Sequence, residues 1–143
     1  MKNSVNFNIE VRRIPLNMHE NEEAILTVAE VQKHIPFTIQ RSFIIKSSNE
    51  NVNRGKHAHR VLNQFMVCLN GTVEIIVSDG ESEKKYILSD MSEGLLVPPG
   101  YWCEQNYKNK GAILLVFCDK HYNESDYIRD YKLFKNFKEK KLD

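Results

Sequence analysis

Little in this sequence of 143 residues is present in excess, and its scarcities narrow its class. Three cysteines, Cys68, Cys103 and Cys118, form an odd count with no Cys-x-x-Cys pair, which argues against a disulfide framework. Cys68 and Cys118 sit in apolar runs and read as reduced core residues. An excess of one charge is also missing: 20 Lys+Arg against 19 Asp+Glu leave +1. So small a net charge gives no steering toward nucleic-acid phosphates or an anionic membrane, and neither partner is expected. No apolar run approaches the ~20 residues of a spanning helix. The opening Met1-Lys2-Asn3-Ser4-Val5-Asn6 lacks the apolar stretch of a secretory leader, so a cytoplasmic location is expected. There are no repeats or low-complexity linkers, and a single domain over 1–143 is expected. The rest is ordinary globular composition, 41% hydrophobic and 27% charged, enough to build one core.

What is present reads mostly as short strands between turns. Phe37–Lys46 is a β-rich run begun by Pro36. Gln64–Leu69 and Thr72–Ser78 are apolar runs separated by Asn70-Gly71, a two-residue hairpin signal. Asp79-Gly80 marks a second turn, from which Lys84–Leu88 returns. Gly94–Val97 runs into the break Pro98-Pro99-Gly100. Ala112–Cys118 has the continuous apolar character of a central strand, and Phe7–Val11 alternates like a strand. The tail differs. Asn123–Lys140 carries Tyr127, Tyr131, Phe134 and Phe137 on one helical stripe, with Ser125 as N-cap, and predicts a helix packed on the sheet. Many short strands followed by one helix predict an all-β-dominated barrel or sandwich with a C-terminal α-helix.

The segment that carries chemistry is Arg54-Gly55-Lys56-His57-Ala58-His59-Arg60. Residues i and i+2 of a strand share a face, so His57 and His59 point together. Two imidazoles on one wall can bind a metal or move protons. His-x-His, then Gln64, then Gly71 follows the first cupin motif, with Gln in place of the glutamate of a metal-binding cupin. Pro98-Pro99-Gly100-Tyr101-Trp102-Cys103 follows the second, with Cys in place of His. The donor set His57, His59, Gln64 and Cys103 matches iron or manganese sites poorly, which leaves acid–base chemistry.

Arg-Gly-Lys-His-Ala-His with Gln64, Val97-Pro98-Pro99 with Trp102, and Asp126-Tyr127-Ile128-Arg129-Asp130-Tyr131 resemble the WxcM-like sugar 3,4-ketoisomerases. Ile35-Pro36-Phe37 and Arg41 fit as well. The resemblance implies a cupin-type jelly-roll barrel, no metal or other cofactor, and a homodimer. It also implies a TDP-linked 4-keto-6-deoxy hexose in the barrel. The keto group would move from C4 to C3 through an enediolate, in a route to 3-amino-3,6-dideoxy sugars of surface glycans. His59 is the expected base at C3 and His57 its partner, with the roles exchangeable. Arg41, Arg54, Gln64, Trp102 and Cys103 are the expected substrate-binding residues, and Tyr101 and Trp102 are candidate stacking platforms. The chain departs from the family pattern at three places. Asn21-Glu22-Glu23-Ala24 stands where Asp-x-Arg-Gly is usual, Phe43 where an aromatic hydroxyl is usual, and Cys103 where His is usual. These changes leave two alternatives open, a non-catalytic sugar-nucleotide-binding cupin and a metal-dependent cupin enzyme.

Overall fold

The computed structural model describes residues 10–142. Strands follow one another as β1 (Arg12–Pro15), β2 (Asn17–Glu20), β3 (Ile25–Val28), β4 (Arg41–Lys46), β5 (Val52–His59) and β6 (Gln64–Asn70). They continue as β7 (Val73–Ser78), β8 (Glu83–Leu88), β9 (Glu93–Val97), β10 (Trp102–Tyr107), β11 (Ile113–Cys118) and β12 (Tyr127–Ile128), before helix α1 (Tyr131–Leu142). Two five-stranded antiparallel sheets result, ordered β1-β9-β6-β11-β4 and β12-β5-β10-β7-β8. β2 and β3 form a separate hairpin. This is the double-sheet, jelly-roll barrel expected, with its helix at the C-terminus.

Alternation explains the layers. From the first sheet Met66, Cys68, Leu95, Val97, Leu114 and Val116 meet Val73, Ile75, Val77, Leu88, Cys103 and Tyr107 of the second in one core. The intervening residues Phe65, Val67 and Leu96 are also buried, under Leu16, Ile35 and Phe37 on the outer face. Both faces of β6 are therefore covered, which is why its apolar run is continuous rather than alternating. The outer face of the second sheet is covered by α1, where Phe134 packs on Ala58, Trp102 and Ile128.

Asn70-Gly71 does not close a hairpin. β6 pairs with β9 and β11, while β7 pairs with β8 and β10, so the turn carries the chain from one sheet to the other. Gly71 has φ +71°, and a Cβ there would meet Asn109 Oδ1 at 2.9 Å and Ala112 Cα at 3.1 Å. The turn residues are those of a hairpin, but the packing of Asn109 and Ala112 against them directs the chain across the core. The expected Asn123–Lys140 helix is divided as well. Glu124–Asp126 form a 3₁₀ turn whose cap is Asn123, not Ser125, and Asn123 Oδ1 accepts the Ser125 N–H at 3.1 Å. Tyr127 and Ile128 then pair with β5, and α1 starts only at Tyr131, where Asp130 Oδ1 accepts the Leu133 N–H at 3.0 Å. Asn123, Ser125, Asp126 and Asp130 favour local side-chain-to-backbone bonds over a continuous helix. β4 begins at Arg41, four residues after Phe37. Of the Phe7–Val11 strand, residues 7–9 lie outside the described residues, and the first described strand starts at Arg12.

Candidate active site

The edges of the two sheets, β4 on one side and β5 with β12 on the other, flank a cavity of about 310 Å³. On β4, Arg41, Phe43 and Ile45 are half-buried while Ser42, Ile44 and Lys46 face outward. Phe43 and Ile45 line the cavity, as do Gln64 of β6, Gln105 of β10, Tyr127 of β12 and Arg129.

β5 supplies Arg54, Gly55, Lys56 and His57. Arg54 and His57 are three apart and in a regular strand would face opposite ways. Opposite them, Cys103 pairs with His57 but Gln105 pairs with Arg54, so β5 carries one extra residue. Gly55 takes up the bulge at φ +74°, and a Cβ there would lie 3.3 Å from Gln105 Cδ. The bulge brings the guanidinium and the imidazole to the same opening. A glycine inside a strand run is the sequence signal for it.

His57 and His59 do share a face. Their ring centroids lie 4.9 Å apart in an edge-on contact, and Tyr127 touches both, at 5.0 and 4.4 Å. His57 lines the cavity, whereas His59 lies behind it, its Nδ1 2.9 Å from Asp126 Oδ2. His59 Nε2 and Arg41 Nε are both buried without a hydrogen-bond partner. Burial, with His59 and Arg129 nearby and only Glu124 opposing, pushes the His57 pKa down to about 4. Burial also lowers that of His59, against the pull of Asp126. Both rings are therefore neutral at neutral pH and able to accept a proton.

The lining holds three cations, Arg54, Lys56 and Arg129, and no carboxylate among the described residues. Arg129 lies over the Tyr127 ring at 4.2 Å and is held by Glu124 through bonds of 2.9 and 2.8 Å. Glu124 in turn accepts the Tyr122 hydroxyl at 2.6 Å. A neutral imidazole at the wall, a second behind it and three cations give the arrangement the chemical means to hold an anion and to exchange protons.

The family pattern FdtA, described as WxcM-like, C-terminal, matches residues 8–139. The chain belongs to this family. It is 37% identical over 112 residues, 78% of this chain and 81% of the relative, to TDP-4-oxo-6-deoxy-α-D-glucose-3,4-oxoisomerase of Aneurinibacillus thermoaerophilus. It superposes at a TM-score of 0.87 on the 3,4-ketoisomerase QdtA of Thermoanaerobacterium thermosaccharolyticum, crystallised as a histidine-to-asparagine variant with TDP-4-keto-6-deoxyglucose. That match has 33% identity and covers 92% of this chain and 96% of the other. The dTDP-4-dehydrorhamnose 3,5-epimerase of Bacillus anthracis shares the fold alone, at a TM-score of 0.75 and 16% identity over 82% of this chain and 77% of the other.

Within this WxcM-like chain the expected site residues separate. His57, Arg54 and Gln64 meet at the cavity, and His59 and Arg41 stand directly behind it. Arg41 lies close enough to oppose protonation of His59, and its guanidinium donates to Cys118 Sγ at 3.7 Å. Trp102 is not at the cavity. It lies on the outer face of β10, in edge-on contact with Tyr131 at 5.2 Å, and its indole N–H donates to Glu104. Because side chains alternate, the position next to an inward Cys103 must face out. Cys103 is sealed in the core, where burial pushes its thiol up to about 12. Tyr101 faces a separate depression beside Asp79 and Lys138. Asn21–Ala24 form the turn of the β2–β3 hairpin, Asn21 Oδ1 accepting the N–H groups of Glu23 and Ala24. Gln105, Tyr127, Arg129 and Asp126 were not among the expected site residues. The Asp-Tyr-Ile-Arg stretch carries three of them, but helical periodicity assigned Tyr127 to packing. Its strand alternation, Ile128 outward under α1 and Tyr127 inward, was the available signal.

Proposed function

We propose that this chain moves the keto group of a TDP-linked 4-keto-6-deoxy hexose from C4 to C3 by histidine-mediated proton transfer. The observation that carries this reading is the pair of neutral imidazoles, one lining a cation-rich cavity and one directly behind it, in a WxcM-like chain. The C3 hydrogen lies α to the C4 ketone and is weakly acidic. A histidine takes that proton, and the C–H electron pair forms the C3=C4 bond of an enediolate with negative charge on O4. A proton is then delivered to C4, the O3 hydroxyl loses its proton, and C3 becomes the ketone. No net redox equivalent or external reductant is needed. His57, at the cavity wall, is the base at C3, and His59 behind it polarises the carbonyl or relays the second proton, the two expected roles being exchanged. Arg54, Arg129 and Lys56 suit the diphosphate, and Gln64 can both donate to and accept from sugar hydroxyls.

Gln64 brings no charge and Cys103 is a buried thiol, so the donor set supports acid–base work over metal ligation. The product serves an aminotransferase leading to 3-amino-3,6-dideoxy sugars, and the working assembly is a homodimer. The protein is to be incubated with TDP-4-keto-6-deoxyglucose in deuterated buffer and followed by NMR. A 3-keto product carrying deuterium at C4 is expected. Binding of the sugar nucleotide without any isomerisation would favour a non-catalytic binding domain instead.

A further inference from the structure

The inner imidazole of the pair, His59, is held by a residue outside the expected catalytic pair. Asp126, on the 3₁₀ turn before β12, is buried together with His59. Its Oδ2 lies 2.9 Å from His59 Nδ1, and its Oδ1 accepts the backbone N–H of Val61 at 2.7 Å. Its own backbone carbonyl accepts the Arg60 N–H at 3.0 Å. The carboxylate is thus pinned from the chain leaving β5 on one side and bonded to the ring on the other. Across that ring, Nε2 is buried and unpartnered.

A neutral imidazole has one N–H and one lone pair. A carboxylate only accepts, so the proton sits on Nδ1 and the lone pair on Nε2. We propose that Asp126 is a positioning residue for the isomerisation: it locks His59 as the Nδ1–H tautomer, so that Nε2 is the free acceptor for a proton relayed within the histidine pair, and it stabilises the imidazolium that results. This rests on the ketoisomerase reading above. The environment agrees with the assignment. Burial, Arg41 and Arg129 disfavour a charged His59 at rest, while Asp126 favours it, so the charge is tolerated once a proton arrives.

The Val61 contact makes one substitution decisive. Asparagine has the shape of aspartate with one oxygen replaced by NH₂. Turned with its NH₂ toward Val61, it would set donor against donor. Its oxygen therefore stays on the Val61 N–H, and its NH₂ faces His59 Nδ1. The ring must then accept at Nδ1 and carry its proton on Nε2, which removes the acceptor at Nε2 while leaving the imidazole in place.

The test uses the full chain labelled with ¹⁵N-histidine, with long-range ¹H–¹⁵N spectra assigned by comparison with His57→Asn and His59→Asn. Wild-type His59 is expected in the Nδ1–H form and Asp126→Asn in the Nε2–H form. The Asp126→Asn variant should lose at least about a hundredfold in kcat with KM little changed. A wild-type His59 in the Nε2–H form overturns the proposal even if Asp126→Asn does not fold. Wild-type kcat in Asp126→Asn overturns it too. If the wild type shows the Nδ1–H ring but isomerises no 4-keto sugar nucleotide, the tautomer lock stands and the ketoisomerase reading falls.

Discussion

At the scale of single residues the site depends on two rings kept uncharged by their surroundings. Asparagine in place of either histidine keeps polarity and approximate size but cannot exchange a proton near neutral pH. His57→Asn and His59→Asn should each lower kcat by at least about a hundredfold, and the double variant should be far from additive, since both serve one proton-transfer sequence. Steady-state kinetics decides it, and wild-type turnover in both single variants would end the mechanism. The pH dependence follows from the same burial. A base must be neutral to act, and both pKa values lie below 6.5, that of His57 at about 4. The acid limb of kcat/KM should therefore fall below pH 6.5, leaving activity flat from there to pH 8. The groups facing His57 that set this limb are His59, Arg129 and Glu124. An acid midpoint at or above 6.5 would mean that the rings are not desolvated in solution. The sign for stability is the same: the unfolded chain binds protons between 6.5 and 4 that folded His57 does not, so stability drops as pH falls through that window.

At the scale of elements, the strand runs were legible where burial alternates, as in β4 and β11, or where both faces are covered and the apolar run is continuous, as in β6. His57 and His59 were found because a strand places i and i+2 together. The bulge at Gly55 and the second-sheet destination of β7 were not, since each depends on a partner strand that no local pattern names. The Tyr127 stripe misled for a related reason: Tyr127, Tyr131 and Phe134 fit a helical period, yet the backbone of Tyr127 pairs with His59 of β5 instead of continuing the helix. Trp102 shows the same limit. Its neighbours in sequence suggested a stacking platform, while the sheet turns it outward to carry α1 through Tyr131 and Phe134. Trp102→Phe should therefore lower Tm by removing indole packing and leave KM unchanged. A raised KM at unchanged Tm would return Trp102 to the substrate. Thermal denaturation and steady-state kinetics on one preparation separate the two.

At the scale of the whole molecule two consequences remain. Because Gln64 is neutral and Cys103 is a sealed thiol, turnover should survive EDTA, and loss restored by one particular divalent ion would overturn the acid–base reading. The second concerns assembly. β2 and β3 are four residues each and, among the described residues, pair only with each other. An isolated two-stranded hairpin is marginal in water. This one also exposes Met18, Ile25 and Leu26, the last at 59%. On the first sheet, β4 is an edge among the described residues and presents Ile44 at 63% exposure. Apolar side chains on a poorly supported hairpin and on an open edge are stabilised when a second copy covers them. We therefore expect a dimer in solution, which light scattering should show as twice the 16.7 kDa chain mass at micromolar concentration. Leu26→Asp and Ile44→Asp each place a charge where the partner would pack, and should shift that mass toward the monomer in a concentration-dependent way. Neither side chain lines the cavity, so any fall in activity should track dissociation and recover at higher protein concentration. A wild-type chain that scatters as a monomer would remove the dimer and leave the exposed hairpin without an occupant.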